Sequence, residues 1–150
     1  MKTQFLTTVA ILILGSVCIS AEFSGKAMQK AKEIDTKCRT EVGADKGYIT
    51  AFLRGDIIAE NLPKYKCYLK CLMVELDSLS HDGVYDIEEE KGNIPPEIVE
   101  EGHRIISVCK GTQGADACDT AYQLHKCYHD ANPELYRRVL HHWDGIASAE

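Results

Sequence analysis

The chain has 150 residues, and 23 acidic side chains against 17 basic ones leave it a formal charge of −6. That length suits one domain with its own core. An acidic chain with no basic cluster longer than Arg137-Arg138 is a poor candidate for nucleic acid or for an anionic membrane surface.

The first element is a targeting segment. Lys2 precedes an apolar stretch from Phe5 to Ile19, and Cys18 and Ser20 are small residues suited to a cut ahead of Ala21. The stretch is shorter than the roughly 20 residues a spanning helix needs. Residues 1–20 therefore read as a secretory signal peptide and residues 21–150 as a secreted, extracellular chain. Its cleavage removes Cys18 and leaves six cysteines. No second stretch could span a bilayer, so no stable membrane insertion is expected. Asn61, Asn93 and Asn132 lack the sequence context that N-glycosylation requires.

Helical punctuation follows. Ser24 can cap a helix through Ala27, Ala31, Ile34 and Cys38 that ends near Gly43. A short helix is expected over Tyr48 to Leu53, broken by Gly55-Asp56. Pro63 suits a first turn, and Tyr65, Tyr68, Leu69, Leu72, Leu76 and Leu79 recur at three- and four-residue steps. His81-Asp82-Gly83 reads as a turn, and Asp86 with Glu89 as a capping box for another short helix. Pro95-Pro96-Glu97 opens a helix carrying Ile98, Ile105, Ile106 and Cys109, stopped by Gly111 or Gly114. A strong helix runs from Ala115 to Asp130, and Asn132-Pro133-Glu134 starts a last one through Trp143. With no alternating β pattern, the expected fold is all-α, with six or seven helices.

The cysteines Cys38, Cys67, Cys71, Cys109, Cys118 and Cys127 are separated by 28, 3, 37, 8 and 8 residues. Zinc sites prefer close pairs with two to four residues between ligands, and an even set in a secreted chain reads as a disulfide framework. Cys67 and Cys71 stack one helical turn apart, about 5–6 Å between Cβ atoms, against the ~3.8 Å a disulfide wants. Cys118 and Cys127 face opposite sides of their helix. Neither pair can bond internally, which removes a third of the 15 connectivities six cysteines allow and leaves the others open.

This spacing resembles that of the insect odorant-binding proteins of the six-cysteine type. The residues around it agree: Tyr65-Lys-Cys67-Tyr-Leu-Lys-Cys71-Leu-Met, Asp82-Gly83-Val84-Tyr85-Asp86, Ala121-Tyr-Gln-Leu-His-Lys-Cys127-Tyr and Asn132-Pro-Glu-Leu-Tyr136. The resemblance covers Lys26 to about Tyr136. It implies disulfides Cys38–Cys71, Cys67–Cys118 and Cys109–Cys127, and a compact stapled bundle around an internal apolar cavity holding a small lipophilic molecule. It also implies a carrier that solubilises odorants or pheromones in an aqueous secretion, with a chemosensory receptor as a second candidate partner. A lipid or semiochemical carrier outside olfaction is the near alternative, and a secreted helical signalling protein without internal ligand the distant one. One departure stands out. Residues 137–150 form an extended C-terminal tail, and Leu135, Val139 and Trp143 share a helical face suited to a lid.

Other chemistry has little support in the residues. There is no Gly-x-Ser-x-Gly elbow, His-Glu-x-x-His pair or phosphate-cradling loop, so catalytic residues, metal and cofactors are all expected to be none. Ser78, Ser80, Asp82 and Glu89 fall at EF-hand positions but supply too little charge for calcium. His125 and His129 are expected on a solvated helix face. With His141 and His142 they would titrate near pH 6.5 and charge the tail. The ligand-binding residues expected from the apolar stripes are Tyr68, Leu72, Leu76, Ile98, Ile105, Tyr122 and Trp143.

Overall fold

The computed structural model describes residues 29–47 and 61–148, and among these the elements are six α-helices, a further helical start at residues 46–47 and one turn of 3-10 helix. The signal peptide expected over residues 1–20, the cap expected at Ser24 and the helix expected over Tyr48 to Leu53 lie outside the described residues. Helix α1 spans residues 29–42, α2 Leu62–Glu75, α3 Ile87–Gly92, α4 Val99–Cys109, α5 Ala117–Ala131 and α6 Pro133–Ser148, with the 3-10 turn at Pro96–Ile98. Among the described residues the nearest approach to a strand is one isolated bridge between Leu79 and Tyr85.

Local chemistry sets most boundaries. Helix α1 buries Ala31, Ile34, Asp35 and Cys38 on one face. It ends where Gly43 adopts φ 62° and the Ala44 N–H reaches back to Arg39 O, a left-handed helix stop. Pro63 sits in the first turn of α2, where a missing N–H costs nothing. The turn after α2 depends on Gly83, at φ 86°, whose missing Cβ would stand 3.0 Å from the Ala117 Cα. Any side chain there would meet both backbone strain and the start of α5. Asp86 accepts from the N–H groups of Glu88 and Glu89 and so caps α3.

Two helices begin later than the sequence suggests. Pro95 is extended (φ −58°, ψ 143°), as a residue before proline tends to be, so the chain makes a 3-10 turn before α4 starts at Val99. Helix α5 begins at Ala117 because the Asp116 carboxylate accepts the Asp119 N–H and fixes the cap there. Helix α6 opens on Asn132, which accepts the Leu135 N–H, and runs beyond Trp143 to Ser148.

Helices α2 and α5 make the most extensive packing. Tyr65, Tyr68, Leu69 and Met73 of α2, Ala121, Leu124 and Tyr128 of α5, and Ile105 and Ile106 of α4 are all buried in one core, with Leu135 of α6. Three disulfides staple it. Cys38–Cys71 joins α1 to α2, Cys67–Cys118 joins α2 to α5, and Cys109–Cys127 joins α4 to α5.

Candidate functional site

The interior is apolar but carries a set of tyrosines whose hydroxyls are placed by other buried groups. Tyr68, in the middle of α2, is 2% exposed, and its hydroxyl lies 2.8 Å from Asp35 Oδ1 of α1. Asp35 is itself 3% exposed and takes a second bond from Arg39 Nε at 2.8 Å. A buried carboxylate persists only when paired and hydrogen-bonded, and here both conditions are met within one turn of α1. From α6, the Trp143 indole N–H approaches the Tyr68 hydroxyl at 3.4 Å. Burial, reinforced by the Asp35 charge, holds the Tyr68 phenol well above its ordinary pKa. Three helices thus meet at one phenolic oxygen.

A second polar line crosses from α2 to α6. Buried Tyr65 faces Tyr136, and Tyr136 Oη shares a 3.0 Å hydrogen bond with His125 Nδ1 of α5. The His125 ring is flanked by Tyr128 and Tyr136, with centroids 5.6 and 5.8 Å away. Burial of that ring pushes its pKa down to about 4. In a third pair, the Tyr128 and Tyr85 hydroxyls share a 2.9 Å hydrogen bond. Beside it the Glu90 carboxyl is pushed up by burial, partly offset by hydrogen bonds from Ser78 and Tyr128.

These placements correct the histidine expectation. His129 is exposed next to Asp130, but His125 turns inward and is not part of a solvated face. A ring held neutral down to about pH 4 contributes no charge at mildly acidic pH, so His125 drops out of the acid response expected of the tail. Val139, expected on the buried face of α6, is 38% exposed; Leu135 is buried, and Tyr136 and Trp143 pack against the core in its place.

The seven residues singled out by the apolar stripes do not all converge. Tyr68 and Ile105 lie in the core, and Leu72, Leu76, Ile98, Tyr122 and Trp143 pack on its margin, half-buried. Tyr68 and Trp143 meet directly. Ile98 borders an open groove of about 470 Å³ with Pro96, Val99, Leu135 and Arg138. One face of Tyr122 is covered by the Lys66 ammonium, 4.9 Å from the ring centroid, which is also paired with Asp119. The residues that sequence reasoning missed are Asp35, Arg39, Tyr136 and His125. For Asp35 a signal existed: it shares the three- and four-residue stripe of Ala31, Ile34 and Cys38, so a charge sits where a core residue is due.

A family model for the PBP/GOBP family matches residues 20–131, well over half of the chain. The chain belongs to the PBP/GOBP family. A crystal structure of an odorant-binding protein from Locusta migratoria is 44% identical with a TM-score of 0.76, covering 81% of this chain and 94% of that one. General odorant-binding protein 69a of Drosophila melanogaster is 26% identical over 122 residues, 79% of this chain and 82% of its own length. The B2 protein of Tenebrio molitor is 27% identical over 111 residues, 73% of this chain and 84% of its own. The PBP/GOBP match stops at Ala131, so α6 and its Trp143 lie beyond it. Within the matched part, the motif glycine Gly83 and the cap Asp86 have the structural roles described above.

Proposed function

We propose that this PBP/GOBP protein is a secreted carrier that binds small hydrophobic ligands, odorants or pheromones among them, and solubilises them in an aqueous secretion. The observation that carries the reading is family membership over a stapled helical scaffold, supported by the 44% identity to the locust odorant-binding protein. The mechanism is equilibrium binding without covalent chemistry. Residues 1–20 direct export as a signal peptide, and the mature chain starts at Ala21. Among the described residues no helix is long and apolar enough to cross a membrane, which accords with a carrier in solution.

The ligand lies against an apolar wall contributed by Tyr68, Leu72, Leu76, Ile105 and Trp143, whereas Ile98, on its separate groove, and Tyr122, under Lys66, stand apart from it. Such a wall supplies about 25 cal/mol per Å² of apolar surface buried, and few polar anchors give broad selectivity. A chemosensory receptor takes part after this loading step. Displacement of a hydrophobic fluorescent probe from the mature chain tests the reading. Long-chain alcohols, aldehydes or esters should compete at micromolar concentration, about −8 kcal/mol. Failure of every apolar competitor would favour a helical signalling protein without internal ligand.

A further inference from the structure

The three-helix junction at Tyr68 constrains more than packing, because it fixes where a proton is. Arg39 Nε can only donate, so Asp35 Oδ2 accepts it at 2.8 Å. A carboxylate held by a guanidinium is an acceptor at its other oxygen as well. The proton in the 2.8 Å contact between Asp35 Oδ1 and Tyr68 Oη is therefore the phenol's own. A phenol has one proton, and this one is committed. What Tyr68 offers to anything else is lone pairs alone.

The present taker of those lone pairs is the Trp143 indole N–H, itself a donor only. At 3.4 Å it stands beyond the usual 2.7–3.2 Å range of an N–H···O bond, so the site is loosely filled. Trp143 belongs to α6, past the reach of the family match, and is half-buried rather than locked in the core. Leu72, one turn further along α2, and Leu76, its C-cap, continue the same stripe as half-buried apolar surface. A ligand lying along that stripe with its polar end towards Tyr68 would compete with one weak donor.

We propose that Tyr68, oriented by Asp35 and Arg39, is an acceptor-only anchor that makes this protein select hydrogen-bond-donating lipophiles, alcohols above all, over aldehydes, ketones and esters of equal length. The proposal rests on the carrier reading and narrows its ligand class. An aldehyde or ester oxygen facing Tyr68 would meet lone pairs with lone pairs and leave its own acceptor unpaired, which is how a polar site rejects an analogue. An alcohol hydroxyl supplies the missing proton.

The test is probe displacement from the mature, oxidised chain by dodecanol, dodecanal and methyl undecanoate, on the native protein, on Tyr68→Phe and on Trp143→Phe. One net hydrogen bond corresponds to a factor of about three to ten in affinity. The native protein should prefer dodecanol by that factor. Tyr68→Phe should bring dodecanol to the level of dodecanal while leaving dodecanal within about twofold of the native value, consistent with loss of a single polar contact. Trp143→Phe removes the competing N–H and should widen the preference, which keeps the idea testable if Tyr68→Phe folds poorly. Equal binding of all three compounds, or a dodecanol preference that survives in Tyr68→Phe, overturns the proposal while leaving the carrier reading intact. No displacement by any of them overturns both.

Discussion

Asp77 is the one described non-glycine residue with positive φ, at 61°, where α2 stops and its N–H returns to Val74 O. Aspartate tolerates the left-handed region better than most residues, but glycine has no Cβ to oppose it. Asp77→Gly should therefore stabilise the protein by about 0.5–1 kcal/mol in urea unfolding; a loss of stability would mean the carboxylate does something the backbone does not show. Gly83→Ala should go the other way and lower the midpoint, since positive φ and a 3.0 Å approach to Ala117 leave the new methyl nowhere to sit. His125 makes a pH prediction at the same scale. Its folded pKa of about 4 lies below the ordinary 6.5, so between these values the unfolded chain binds the extra proton and stability falls as pH falls. Glu90, raised by burial, pulls in the opposite sense, because its protonation on acidification favours the folded state. Comparison with His125→Phe separates the two: the variant should lose a drop on the order of 1–3 kcal/mol between pH 7 and 4. An unchanged pH profile would place that ring in solvent.

Much of each element was legible because its punctuation is chemical. Asp86, Pro63 and Asn132-Pro133 announce helix starts, and the structure uses all of them. The misplacements have physical causes. Consecutive prolines delay α4 by a 3-10 turn, and Asp116 outcompetes Ala115 as the start of α5. Partners from distant segments were not legible: nothing local says that Tyr136 turns towards His125 or that Trp143 reaches Tyr68 across 75 positions. Periodicity alone also mistook Val139 for a buried residue, because the face α6 presents is set by what it packs on. The element most dependent on such a contact is α6. Leu135→Ala should cost about 2–4 kcal/mol from its buried site. Trp143→Ala should instead raise amide exchange in the second half of α6 and leave α2 and α5 protected. Equal loss of protection in all three helices would show that α6 is integral to the core.

At the scale of the molecule, three covalent links and one apolar core divide the stabilising work. Of the six linked cysteines, α2 carries Cys67 and Cys71 and α5 carries Cys118 and Cys127, so each staple reaches at least one member of the pair that packs most extensively. Each link stabilises by about 2–4 kcal/mol, chiefly by restricting the unfolded chain. Peptide mapping of the unreduced mature protein should recover Cys38 with Cys71, Cys67 with Cys118 and Cys109 with Cys127, and reduction should unfold it at physiological temperature. A peptide joining Cys118 to Cys127 would contradict the continuous α5. The family resemblance carried by the cysteine spacing made this scaffold legible in the sequence, whereas the Asp35–Tyr68–Trp143 junction joins three distant segments that no local pattern connects. Central to the whole account is reversible carriage of one hydrophobic ligand, and titration calorimetry of delipidated mature protein with dodecanol at several temperatures measures it most directly. One ligand per chain, a micromolar Kd and a negative heat-capacity change from apolar burial are expected. Saturating dodecanol with no heat at any of those temperatures, and no rise in thermal stability on its addition, would contradict the account.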